Sequence, residues 1–148
     1  MTRTNAREIV VHLIYGINYT KETADEAMVS RFAQDYYETL QEENDIYAER
    51  PNQKQLAYIA QVVKGIEEKQ EELNGYITKY AIGWHLDRIP RLARSIMQLA
   101  MYESLYVEDV PTSAAISEAV ELTRKYEDED VVSFVNGILG SFAREVAQ

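Results

Sequence analysis

Residues that break helices are rare in this chain. The 148 residues include six glycines and three prolines, so long stretches contain neither residue. In these stretches apolar residues recur three and four positions apart, which is the spacing of an amphipathic α-helix. No segment of useful length alternates apolar and polar residues as a half-buried strand does. The sequence therefore predicts an all-α bundle of about seven helices with no sheet.

The apolar stripes set the expected helix ranges. These ranges are about 5–19, 23–43, 53 into the 70s, a shorter helix after a break at Gly75 through 82, 87–103, 112–123, and 131 almost to the end. Thr4 or Asn5, Asp87, and Thr112 or Ser113 are the expected caps of the first, fifth and sixth helices. We expect one domain over residues 1–148, with helical subdomains at about 1–83 and 84–148.

Composition argues against several classes of protein. The chain has no cysteine and two histidines, His12 and His85, so a disulfide, a thiolate nucleophile or a histidine-rich metal cage is not expected. Phosphate-binding loops, nucleophile elbows and zinc-protease motifs are absent from the sequence. The carboxylates at 67–72 and 127–130 have the pattern of solvated faces or helix starts. We therefore expect neither an enzyme nor a cofactor.

The termini and hydropathy indicate a compartment. No run of 18 apolar residues is present, so no membrane span is expected. The first residues lead directly into an amphipathic pattern and lack a signal-peptide core. The cytoplasm is therefore the expected location.

Charge restricts the choice of partner. There are 25 acidic and 15 basic residues, for a net charge of -10, whereas a protein that binds nucleic acid by bulk electrostatics is usually basic. Two segments are locally basic: residues 1–20 and residues 85–94, where three arginines face one aspartate. Nucleic-acid binding would therefore need a local patch, helped by a basic partner protein.

Several side chains are suited to such a patch. Arg3 and Arg7 lie four positions apart near the start of the first helix, where they could contact phosphates. Tyr126 and Phe134 flank the start of the last helix and could stack on unpaired bases, although Phe134 is equally suited to the core. Asn136 precedes a glycine within the same helix. This pair predicts close approach of another helix at Gly137, with Asn136 as a buried hydrogen-bonding group or a contact.

Four segments, in order, resemble one known family. They are residues 6–15 (AREIVVHLIY), 94–103 (RSIMQLAMYE), 110–122 (VPTSAAISEAVEL) and 134–139 (FVNGIL). Together they resemble the bacterial transcription antitermination factor NusB family over nearly the whole chain. The last two segments are the most specific.

The resemblance implies a fold and a function. The family is all-α with two helical subdomains and has no catalytic activity. It pairs with NusE, a small-subunit ribosomal protein, and the pair binds the boxA element of nascent RNA. This tether helps RNA polymerase resist termination in ribosomal RNA operons. Members occur as monomers and as homodimers.

The resemblance also implies site residues. Arg3 and Arg7 correspond to the arginine-rich N-terminal segment that contacts RNA. A second RNA-contacting region corresponds to Tyr126, Asp130, Phe134 and Asn136, and the NusE side corresponds to Tyr15, Tyr102 and Glu103.

Two positions depart from the family pattern. Thr4 and Asn5 dilute the arginine run, and Ser117 stands where the motif usually has asparagine. The first departure predicts weaker RNA affinity for the isolated chain and a larger contribution from basic NusE, which an acidic body would attract.

Two other functions remain open at this point. One is an acidic helical protein-interaction module that does not bind RNA directly. The other is the NusB-like domain that precedes the catalytic part of some RNA cytosine methyltransferases. The 148 residues leave no room for that catalytic part, so this alternative applies only to a fragment.

Overall fold

Eight α-helices form most of the regular structure in residues 1–147, which the computed structural model describes. They are α1 (Arg3–Thr20), α2 (Ala24–Arg31), α3 (Gln34–Glu43), α4 (Gln53–Glu68), α5 (Gln70–Tyr80), α6 (Arg91–Tyr106), α7 (Thr112–Tyr126) and α8 (Glu129–Val146). Short 3-10 turns occupy Asp45–Tyr47 and Leu86–Arg88. These residues include no strand, which confirms the all-α prediction, and the expected count of about seven helices is close to the eight described.

The chain divides into two compact units, and each is described by itself. The first unit is Met1–Glu67, and the second begins at Glu68. The division therefore precedes α5, whereas the sequence placed the subdomain boundary near residue 83. The reason is that α5 packs against α6 and α8: the rings of Tyr76 and Phe142 meet edge to face at 5.0 Å.

The core of the first unit contains a cluster of aromatic side chains. Tyr37 and Tyr47 are almost fully buried and meet edge to face, with ring centroids 5.6 Å apart. The Tyr37 hydroxyl donates to the carbonyl of Glu49 over 2.6 Å, so its polar end is satisfied inside the core. His12 Nδ1 lies 3.0 Å from the Tyr47 hydroxyl, which gives this histidine a packing role.

The single helix predicted over 23–43 is wrong, because the chain breaks between α2 and α3. Phe32 leaves the helical region and Ala33 is extended, with ψ 136°. The Arg50 guanidinium donates to the Phe32 carbonyl over 2.8 Å and so satisfies a group that the break exposes. The break also sets which side of α3 faces the core: Tyr37 is buried, whereas its neighbour Tyr36 is 50% exposed.

The break predicted at Gly75 is also wrong. Gly75 lies inside α5 and is exposed, and the interruption comes earlier, at Lys69 between α4 and α5. One glycine inside a helix costs only about 1 kcal/mol relative to alanine, which tertiary packing readily overrides.

Helix α6 lies at the centre of the second unit, against α5, α7 and α8. Its buried side chains include Ile96, Met97 and Gln98. The Gln98 amide donates to Asn74 Oδ1 over 2.8 Å, so this buried polar group is paired across to α5.

The three expected caps are wrong by a few residues. The Thr2 hydroxyl caps α1 by accepting from the Asn5 amide over 3.0 Å. Asp87 lies in a 3-10 turn, and Pro90 occupies the N-cap position of α6. Pro111 likewise precedes α7, so Thr112 is its first helical residue.

Within residues 1–147, every helix is too short or too polar to span a membrane.

Candidate nucleic-acid interface

Arg3 is an exposed cation with a defined position. The Thr2 cap sets the first turn of α1, and the guanidinium of Arg3 lies 4.1 Å from the centre of the Tyr58 ring on α4. This is cation–π distance. Arg3, Lys54 and Tyr58 are among the residues around a cavity of about 220 Å³. This corner of the first unit therefore offers cations beside a cavity large enough for a small polar group.

Arg7 lies one turn further along α1 and differs sharply in exposure. It is 9% exposed, and the neighbouring Glu8 is 6% exposed. Because the Arg7 guanidinium is buried, we expect it mainly to stabilise the groups packed around it. The shared helix therefore does not give Arg3 and Arg7 equal access to a ligand.

The second group of candidates surrounds the junction between α7 and α8. Tyr126 ends α7 and is half-buried, and its ring centre lies 5.5 Å from the Lys125 ammonium. Asp128 caps α8 by accepting from the Val131 amide over 3.1 Å. Asp130 is exposed in the first turn of α8. A carboxylate at this position interacts favourably with the positive end of the helix dipole.

Phe134 lies on the same side of α8 as Asp130, because residues four apart share a helix face. The Phe134 side chain is half-buried, so it is neither a fully buried core residue nor a fully exposed stacking residue. Its ring meets that of Trp84, with centroids 5.5 Å apart and an angle of 55° between the planes. Trp84 is 52% exposed.

Trp84 is a surface aromatic that the sequence analysis did not select. It belongs to the segment between α5 and α6, directly after Gly83, whose φ is +84°. The available signal was a tryptophan outside any predicted apolar stripe, next to a glycine. That signal does not reveal that the ring of Trp84 contacts the ring of Phe134.

Asn136 faces a different part of the surface. Two residues along a helix correspond to a turn of about 200°, so Asn136 points away from Phe134. It lies at a groove of about 510 Å³ between α7 and α8, where Ile116, Ser117 and Val120 are among the other lining residues. The structure therefore brings Asp130 and Phe134 to one face of α8 but not Asn136.

The predicted close helix contact at Gly137 is wrong. Gly137 is exposed, and a Cβ added there would meet nothing within 4 Å. Asn136 is exposed as well and is not a buried hydrogen-bonding group.

The residues expected on the NusE side differ in access. Tyr15 is half-buried, and its hydroxyl accepts a hydrogen bond from the Tyr19 hydroxyl over 3.1 Å. Tyr102 is 7% exposed and Glu103 is 1% exposed. Burial raises the pKa of Tyr102, with a smaller contribution from Glu68. A partner would more readily touch Tyr19 in the first unit, at 57% exposure, than Tyr102 or Glu103 in the second.

Comparison with known proteins identifies the family. The model of the NusB family matches residues 4–144. The transcription antitermination protein NusB of Acetivibrio thermocellus is 38% identical to this chain, over 97% of the chain and 90% of its own length. The protein of the same name from Clostridium perfringens strain SM101 is 36% identical over 99% of each.

Solved structures agree in fold. T. maritima NusB aligns over 98% of this chain and 92% of its own, with a TM-score of 0.75 and 26% identity. A structure of the antitermination factors NusB and NusE in complex with dsRNA aligns over 97% of this chain and 96% of its own, with a TM-score of 0.75; at 22% identity, this likeness concerns the fold alone. With a family match across residues 4–144 and relatives above 30% identity over nearly the full length, this chain belongs to the NusB family.

Proposed function

We propose that this protein is a transcription antitermination factor that binds boxA-type single-stranded RNA together with NusE. In this role it tethers nascent RNA and helps RNA polymerase resist termination in ribosomal RNA operons, in the cytoplasm and without catalysing a reaction. The observation that carries the proposal is the aromatic and polar surface at the start of α8, where the accessible Asp130 and Phe134 share one helix face, in a chain of this family.

The net charge of the chain supports RNA binding by this chain and NusE together. A protein with a net charge of -10 gains little from bulk attraction to RNA, so its RNA contacts must be local. A basic partner would be drawn to the acidic body and would add cations to the composite surface. We therefore propose weak RNA binding by the chain alone and tighter binding with NusE.

The test is fluorescence anisotropy with a labelled boxA-type RNA and a scrambled RNA of the same composition. Each is titrated with the chain, with NusE and with the equimolar mixture, at about 50 and 200 mM salt. Selective binding that is tightest with the mixture is the expected result. Equal affinity for the two RNAs would contradict the proposal.

The acidic charge also supports a second candidate, a protein-interaction module with no RNA contact of its own. In that case the chain would bind NusE, but the mixture would bind RNA no more tightly or selectively than NusE alone. The same titration therefore separates the two candidates.

A further inference from the structure

Trp84 is the most exposed large aromatic side chain near the start of α8. Its backbone is ordered by a turn in which the Trp84 amide donates to the Ala81 carbonyl over 3.0 Å. The indole contacts the half-buried Phe134 ring but remains 52% exposed. A large apolar ring held open to solvent in this way offers a flat surface to a ligand.

The segment that follows Trp84 in the chain differs in charge from the chain as a whole. Residues 85–94 contain Arg88, Arg91 and Arg94 against a single carboxylate, Asp87. Arg88 and Arg91 are exposed, and Arg94 is half-buried. Within a chain of net charge -10, this segment attracts anions and repels a basic protein.

We infer that Trp84 is a nucleobase-stacking residue, which together with Phe134 forms a platform for an unpaired base of the bound RNA. The inference rests on the proposed function and adds a residue to it. A base stacks on any aromatic face, and the arginines of the segment that follows Trp84 would hold the adjoining phosphates. The same arginines make RNA a better occupant than the basic partner protein.

The chain contains one tryptophan, so intrinsic fluorescence reports on this site directly. Titration with boxA-type RNA, in the presence of NusE, is expected to quench Trp84 emission in parallel with the rise in anisotropy of a labelled RNA. Tryptophan emission from NusE is removed either by using a tryptophan-free form of NusE or by subtracting the emission of a NusE blank. Titration with NusE alone is expected to leave the Trp84 emission nearly unchanged.

Three variants test the role of the ring. Trp84→Leu keeps an apolar side chain but loses the aromatic face, and we expect RNA affinity to fall ~5- to 100-fold. Trp84→Phe restores a ring and is expected to recover most of the affinity. Ile82→Ala removes an 88% exposed apolar side chain two residues away and is the matched control, with affinity unchanged. Thermal melting of each variant shows whether it is folded.

The outcomes distinguish this inference from the proposed function. Selective RNA binding with no Trp84 quenching and normal affinity in Trp84→Leu would overturn the inference and leave the proposed function intact. Quenching by NusE alone would instead assign Trp84 to the protein partner and overturn the inference. If the anisotropy titration shows no selective RNA binding even with NusE, both fail.

Discussion

At the scale of single residues, exposure separates side chains that look equivalent in the sequence. Arg3 and Arg7 have the same chemistry and the same helix, but Arg3 is exposed and Arg7 is 9% exposed. Phe134 and Phe142 both lie on α8, but Phe134 is half-buried and Phe142 is fully buried. Each pair therefore offers a comparison in which residue type is held constant.

For the arginines, we expect Arg3→Ala to weaken RNA binding without a large loss of stability. Loss of one phosphate contact should make the slope of log affinity against log salt shallower by about 0.7. Arg7→Ala should instead cost about 1–3 kcal/mol in the free energy of unfolding, because groups packed around a buried guanidinium lose their partner. Salt-dependent anisotropy and urea unfolding measure the two effects. A stable Arg7→Ala protein with a reduced salt slope would mean that Arg7 reaches the RNA despite its burial.

For the phenylalanines, we expect Phe142→Ala to cost about 3–5 kcal/mol of stability, as for a fully buried aromatic. Phe134→Ala should cost clearly less and should weaken RNA binding, because part of its ring is available to a base. Chemical denaturation and anisotropy on both variants give the comparison. Equal stability losses in the two variants would make Phe134 a core residue.

At the scale of the element, α8 combines a buried face with an accessible one. Its core-facing side chains are Val132, Val135, Ile138, Leu139 and Phe142. The Asp128 cap and the acidic first turn stabilise the end that carries Phe134. Near the other end, Glu145 pairs with Lys79 over 2.5 Å and accepts a hydrogen bond from the Tyr80 hydroxyl, which ties α8 to α5.

This tie predicts a pH dependence. The Lys79 ammonium and then the Tyr80 hydroxyl lower the pKa of the Glu145 carboxyl from its ordinary value. A lowered carboxyl pKa contributes stability that is present above the ordinary value and is lost as the pH falls through the lowered one. We therefore expect the Tm of the native protein to fall slightly more between pH 7 and pH 3 than that of Glu145→Gln. Parallel melting curves of the two proteins over this range would contradict the role of the pair.

At the scale of the whole molecule, net charge is the property that the separate elements do not reveal. A value of -10 disfavours non-specific attraction to RNA and favours encounter with a basic protein. The locally basic segment at 85–94 and the exposed Arg3 are exceptions within this acidic field. This charge distribution is consistent with the proposed function, in which the RNA contacts are local and a basic partner is attracted at long range.

We therefore expect the association rate with NusE to fall about tenfold or more when ionic strength rises from about 50 to 300 mM, with little change in the dissociation rate. Stopped-flow mixing at several salt concentrations measures both rates. An association rate that does not depend on salt would show that the acidic charge does not steer this encounter.

Local patterns in the sequence were sufficient for the fold class and the family. Apolar spacing reports on the face of a helix whatever that helix packs against, so the all-α class followed from periodicity alone. The segments ending in FVNGIL were specific enough to indicate the family, which the comparisons then confirmed. The acidic start of α8 also followed from local rules, since the dipole of a helix acts over its own first turn.

Tertiary structure alone decided where helices break and which side chains are accessible. The break after α2 is stabilised by Arg50, 18 residues further along the chain, so no local pattern contains it. The burial of Arg7, the openness around Gly137 and the contact of Trp84 with Phe134 depend in the same way on residues distant in sequence. Residue types alone specify which chemistry the protein carries. Only packing decided which of those groups solvent or a ligand can reach, because burial depends on residues that folding brings together.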